Sequence, residues 1–376
     1  MTDKIYNIPA GCAFAEVLAG HFLREYRGRE LELTDVLFLL PNRRAVKALK
    51  DAFVRLQGLA PTLLPQMLPI GDVEEDELFL TGFDQSSALA TLAPAISRAE
   101  RLLLFTKIIM AKPIEYGIEK LAANQACYLA QELANLIDTV HNQGLSFDRL
   151  TDLVPEEYAV HWQETLKFLQ IITEYWPQIL AERQLIDASD RRNRLLRAQI
   201  DLWRQNPPVK RIVAAGTTAA FPLMKELVKT VLSLEKGELY LAGIDKFLED
   251  EAWEKIDETH PQHELKELLD YLTVRREDIP DLQAPENFGR EVLISEVMRP
   301  AATTEKWRDI AGKKIRHEAA DGITLVNCAD MREEALTIAL LLREAVETPE
   351  KTAALVTGDR NLARRVAAEL ERWNLK

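Results

Sequence analysis

Hydrophobic positions at the start of the chain alternate between strand-like and helix-like spacing. Residues 4–8, Lys-Ile-Tyr-Asn-Ile, form a short apolar-rich run that predicts a strand. The turn Pro9-Ala-Gly-Cys12 follows, and then an amphipathic helix over 13–26. Residues 35–40, Asp-Val-Leu-Phe-Leu-Leu, lack polar alternation, as expected of a parallel strand buried on both faces. Pro41-Asn42 leads into a helix over 43–57, where Val46, Leu49, Phe53 and Leu56 make one apolar stripe. Arg43, Arg44, Lys47, Lys50 and Arg55 cover much of the remaining surface. This βαβα opening then gives way to a looser stretch over 61–84, with three prolines and the acidic run Glu74-Glu-Asp-Glu77.

From about 86 to 206 the period is helical, with amphipathic segments over 97–111, 122–143, 156–182 and 188–205. Pro207-Pro208 ends this region, because proline cannot continue a helix. A strand over 211–215, a helix over 221–234 and a strand over 238–242 then resume the βαβ rhythm. The simplest arrangement is one parallel sheet interrupted by an all-helical insertion. After a charged, mixed stretch over 245–314, the rhythm returns as strand 323–327, helix 331–347, strand 352–357 and helix 361–373. That predicts the start of a second α/β domain. The chain stops just after a helix with no capping Gly, so it is expected to be the front part of a longer protein.

Composition narrows the function. The chain has 376 residues, room for two or three domains, and 47% are apolar. A formal charge of −13 argues against a wholesale polyanion binder, so nucleic-acid contact would come from local basic patches or a partner. Cys12, Cys127 and Cys328 are far apart, which disfavours a disulfide or zinc framework and makes a reducing cytoplasm the expected location. No run approaches the length of a membrane span.

The first strand, turn and helix stand where a P-loop would cradle phosphates, with a Lys and a Ser or Thr at fixed positions. Starting the pattern at Gly11 puts Val17 and Leu18 at those positions; starting at Pro9 puts Ala15 and Glu16 there. Neither register supplies a cation, and Glu16 would bring a negative charge. The later strand ends in Gly216-Thr-Thr218 with no acid, and the next reaches only a lone Asp245. Cation, hydroxyl and acid are missing together, so ATP hydrolysis is not expected.

Taken in order, these motifs resemble a known family. Val36-Leu-Phe-Leu-Leu-Pro-Asn-Arg-Arg44 resembles motif Ia of superfamily I helicases of the UvrD type. Arg211-Ile-Val-Ala-Ala-Gly-Thr-Thr218 with Leu239-Tyr-Leu-Ala-Gly-Ile-Asp245 is similar to the degenerate motif II and III region of AddB. Trp253, His260-Pro-Gln-His263, Arg299 to Trp307 and Ala353 to Arg365 continue the likeness, which is closest to the alphaproteobacterial type. The resemblance implies an α/β, P-loop NTPase-like (RecA-like) parallel sheet of a superfamily I helicase type, inactivated as a motor. It implies domain 1A over 1–85 and 208–300, helical insertion 1B over 86–207, and a linker with the start of domain 2A over 301–376. It implies an AddA-like motor partner in a DNA end-processing helicase–nuclease of double-strand break repair. The family's nuclease and iron–sulfur cluster lie in a C-terminal half, so no cofactor is expected in this region.

Candidate residues follow. Pro9, Gly11 and Glu16 mark the degenerate nucleotide loop. Asn42, Arg43, Arg44 and Lys47 could touch DNA phosphates or form a solvated helix face. Thr217 and Thr218 could meet single-stranded DNA or cap the next helix. Arg191, Arg192, Arg194 and Arg197 suit intrahelical pairing with Asp187, Asp190 and Asp201. Trp162, Trp176 and Trp203 suit either a helical core or base stacking, and His260 and His263 either structural roles or metal ligation. Two rival functions stay open: a nucleotide-binding ATPase with an unusual loop, and a scaffold without DNA contact.

Overall fold

A computed structural model of the chain describes residues 2–58, 63–70, 92–111, 121–147, 168–312 and 317–375. The acidic run at 74–77, Trp162 and the start of the helix expected over 156–182 lie outside the described residues. The chain divides into two compact units, Met1–Ala319 and Ala320–Lys376.

The first unit is built on a sheet of β1 (Ile5–Ile8), β2 (Val36–Leu40), β3 (Gln66–Pro69), β4 (Arg211–Ala215) and β5 (Gly237–Ala242). The strands run in the order β1-β5-β4-β2-β3, all parallel, with Ile5 opposite Leu239 and Phe38 opposite Val213. β3 falls in the stretch expected to be loose; Pro65 and Pro69 obscure it in sequence, and it takes the edge position that such a strand tolerates. At the other edge the backbone of 280–282 runs beside β1. Asn7 N–H donates to the Pro280 carbonyl at 2.9 Å and Leu282 N–H to the Asn7 carbonyl at 2.8 Å. These bonds cover an edge that would otherwise be open to pairing.

Side chains alternate along each strand, so each apolar run feeds two cores. Ile8, Val36, Phe38, Leu40, Val213 and Tyr240 face α1 (Phe14–Glu25) and α2 (Arg43–Gln57). Leu37, Leu39, Ile212, Ala214, Leu239 and Leu241 face α6 (Ala188–Gln205), α7 (Pro222–Ser233) and α9 (His263–Leu272) on the opposite side, with α8 (Asp250–Glu254) beside them. On α2 the buried residues are Leu49, Ala52 and Phe53, while Leu56, expected in the core stripe, is exposed.

The helical region holds α3 (Arg98–Ala111), α4 (Ala123–Asn142) and α5 (Trp176–Arg183) around Phe105, Ile137, Ile171 and Trp176. The helix widens to a π turn at Ile171–Tyr175, just where Pro177 lacks the N–H that would bond back to Thr173. Arg101 is buried at its centre, doubly bonded to Asp138 at 2.6 and 2.8 Å and reaching Asp187 at 3.2 Å. Trp176 Nε1 donates to the other oxygen of Asp187 at 2.7 Å. α6 belongs to both regions: Asp187 precedes it in this network, while Leu196, Ile200 and Trp203 sit in the sheet core. The core under the sheet thus takes in side chains from the segment expected to be wholly insertion.

The second unit holds α11 (Met331–Glu347) and α12 (Arg360–Glu371), packed through Ala335, Ala339, Leu362 and Val366. Asp330 caps the first of these helices, accepting from Arg332 N–H at 2.8 Å and Glu333 N–H at 2.9 Å. The strands expected over 323–327 and 352–357 do not form. Those segments have no ladder partner among the described residues, and Leu325 and Val356 remain 84% and 93% exposed. An apolar run becomes a strand only when a neighbour supplies its hydrogen bonds.

Candidate functional site: the crevice at the strand ends

Open α/β sheets place ligands beyond the carboxyl ends of their strands, where outgoing connections part to opposite faces. Here β1 leads into α1 on one face, and its neighbour β5 leads toward α9 on the other. The crevice therefore lies between Ala10 and Gly243, beside the turn that resembles a P-loop.

The chain's own atoms fill it. Gly243 adopts a left-handed φ of 70°, its N–H donates to the Ile8 carbonyl at 2.8 Å, and a Cβ there would lie 3.0 Å from Ala10 Cβ. Gly216, at the end of β4, also has a positive φ, and a Cβ would lie 3.3 Å from the Phe14 ring. Gly11 N–H, which a phosphate oxygen would otherwise take, donates instead to Glu291 Oε1 at 2.6 Å. Glu291 lies in α10 (Phe288–Val297), whose start is fixed by the Asn287 side chain accepting from Arg290 N–H at 2.9 Å. Cys12 is buried under the same segment, where Gln283 Nε2 lies 3.3 Å from its Sγ. A carboxylate thus provides the negative charge that such an N–H favours.

Glu16 does not face the turn: its carboxylate is ion-paired with Arg55 of α2. The carboxylate at the turn is that of Glu291, 280 residues beyond Gly11, and no local spacing signals the contact. Pro9 accepts from Cys12 N–H at 3.0 Å and so shapes the turn. Asp245 accepts from Phe247 N–H at 2.9 Å and Leu248 N–H at 3.0 Å, spending its carboxylate on the loop after β5. Lys246, the nearest cation in sequence, is paired with Asp281 at 2.6 Å.

The basic helix is disposed differently. Asn42 is the N-cap of α2, accepting from Ala45 N–H at 2.9 Å, so its side chain organises the helix start. Arg43, Arg44 and Lys47 are exposed on the first turns. Arg44 and Lys47 make no ion pair among the described residues. Thr217 is buried, and its hydroxyl accepts from Ala219 N–H at 3.1 Å, stabilising a turn in which Ala219 takes a positive φ of 50°. The Thr218 hydroxyl bonds to Glu264. α2 and the β4 turn thus bring different chemistry: exposed cations on the first turns of one, satisfied hydroxyls on the other.

Elsewhere Arg194 pairs with Asp190 at 2.9 Å within α6, and Asp201 with Arg204 at 3.2 Å, whereas Asp187 turns to Arg101 and Trp176. Trp176 and Trp203 are both 2% exposed and closed to stacking. His260 Nε2 lies 2.7 Å from the Met298 carbonyl, and its Nδ1 accepts from Gln262 N–H at 3.1 Å, a structural arrangement. Among the described residues no group of three or more His, Cys, Asp or Glu side chains could hold a metal, and no helix is long and apolar enough to cross a membrane.

No family model matches the chain, and no curated protein matches it either. Fold and crevice define an α/β protein on an all-parallel five-stranded sheet whose customary ligand crevice is packed with its own side chains.

Proposed function

We propose that the chain is the non-motor, helicase-like region of an AddB-type subunit of a DNA end-processing helicase–nuclease. In this reading it guides DNA and docks on an AddA-like motor in the cytoplasm, without hydrolysing ATP. The sheet would be domain 1A of a RecA-like helicase core, the helical region its insertion 1B, and the second unit the opening of 2A. The observation that carries the reading is the Glu291 carboxylate on Gly11 N–H, in a crevice already closed by Ala10 against Gly243. A triphosphate placed there would meet a like charge, and neither register of the turn supplies a lysine. The exposed Arg43, Arg44 and Lys47 suit contacts that position a DNA backbone without reading its sequence.

The test is binding of a poly-dT oligonucleotide across a salt series, comparing the chain with the variant Arg43→Ala/Arg44→Ala/Lys47→Ala. Loss of three phosphate contacts lowers the slope of log K against log salt by about 2 for a single strand. A variant with unchanged affinity and slope would leave a scaffold without DNA contact as the better account.

A further inference from the structure

The helical region contains a polar pocket of about 570 Å³, lined by the start of α3, one face of α4 and the first turns of α6. Among the described residues Arg98, Arg101 and Arg192 line it against a single carboxylate, Asp138, in a chain that is strongly acidic overall. Arg101 is already committed to Asp138 and Asp187. Arg192 is not committed in this way: its guanidinium donates to the neutral Asn142 Oδ1, and no carboxylate lies within ion-pair distance among the described residues. Burial pushes its pKa down, with only the more distant charge of Asp138 opposing. Arg98 stands exposed at the rim. Gln131 Nε2 donates to Asn135 Oδ1 at 2.9 Å, and the Asn135 amide N–H groups have no acceptor among the described residues.

We propose that this pocket binds the phosphate of a nucleotide, with Arg192 and Arg98 as its ligands and the amides of Gln131 and Asn135 beside the sugar or base. A half-buried guanidinium opposite only a neutral amide gains from an anion with paired oxygens. The volume suits a mononucleotide rather than a bare inorganic ion. The phosphate could arrive as a free nucleotide or as one unit of a single strand. The site shares no residue with the crevice or with α2, and stands whether or not the AddB-type reading holds.

Binding of three probes to the purified chain tests this: dTMP, inorganic phosphate and a 5′-phosphorylated dT oligonucleotide. Arg192→Gln is expected to weaken dTMP or oligonucleotide binding roughly tenfold, as loss of one charge-assisted pair implies. Arg98→Gln, an exposed change that leaves folding intact, is expected to weaken it about threefold, as for one solvent-exposed charge contact. The Arg43→Ala/Arg44→Ala/Lys47→Ala variant should leave dTMP affinity unchanged, which separates this site from α2. Binding of dTMP supports a free nucleotide as the source, whereas oligonucleotide binding that persists in the Arg43→Ala/Arg44→Ala/Lys47→Ala variant and is weakened by Arg192→Gln, with no binding of dTMP, supports a strand. The proposal is overturned if neither binds at millimolar concentration, or if Arg98→Gln and Arg192→Gln both bind as the unaltered chain does.

Discussion

Replacing Gly11 by Ala probes the closed crevice directly. A Cβ at this position would lie 2.8 Å from Glu291 Oε1, closer than real contacts allow. The obstructing atom is the tip of a flexible side chain, so the carboxylate swings aside and its bond to Gly11 N–H is lost. A hydrogen bond to an ionised group contributes about 1.5–3 kcal/mol when buried. This contact is exposed, and about 1 kcal/mol is the appropriate figure. Gly→Ala also removes unfolded-chain entropy worth about 0.5 kcal/mol. Gly11→Ala should therefore destabilise by about 0.5 kcal/mol in the unaltered chain, where the two effects oppose. In a Glu291→Ala background only the entropy effect remains, and the same change should stabilise by about 0.5 kcal/mol. Urea denaturation of the four proteins gives the coupling, expected near 1 kcal/mol. Additive effects would refute the contact as the determinant of the turn.

Three further outcomes follow from the geometry. Arg211 is buried between Glu25 at 2.6 Å and Glu238 at 2.7 Å, over the Phe22 ring; Arg211→Met should cost about 2–3 kcal/mol and lower the melting temperature by about 5 °C in differential scanning calorimetry. Burial raises the Asp138 carboxyl pKa, but the hydrogen bond and charge of Arg101 outweigh it and hold the carboxyl below its usual range. A depressed folded-state value stabilises above the unfolded value, near 4, and this stability is lost as pH falls through the folded value; Asp138→Asn should therefore flatten the acid limb of stability against pH. Co-expression with an AddA-like motor should recover the chain as a complex on size exclusion, and recovery only as free chain would count against that partner.

Much of the sheet was legible because β2 is apolar throughout and β1, β4 and β5 are mostly buried and carry only a few polar positions, such as Asn7, Arg211 and Glu238. β3 was not, because two prolines mask a four-residue edge strand. The segments at 323–327 and 352–357 carry an apolar signal but have no ladder partner among the described residues, and sequence period alone does not reveal pairing. The missing lysine and hydroxyl of the turn were readable from position. Which carboxylate reaches Gly11 was not, since it depends on how residues 280–291 pack along β1. Asn42 and Thr217 show the same limit: residue type named a polar role, and only geometry assigned Asn42 to the helix cap and Thr217 to the turn.

The most direct test is a crystal of the chain soaked with a non-hydrolysable Mg-ATP analogue, read at the β1–α1 turn. The account predicts Glu291 still bonded to Gly11 N–H, with no triphosphate density beside it. Ordered phosphates against Gly11, with the Glu291 side chain displaced, would contradict it and make the β1–α1 turn a working triphosphate site.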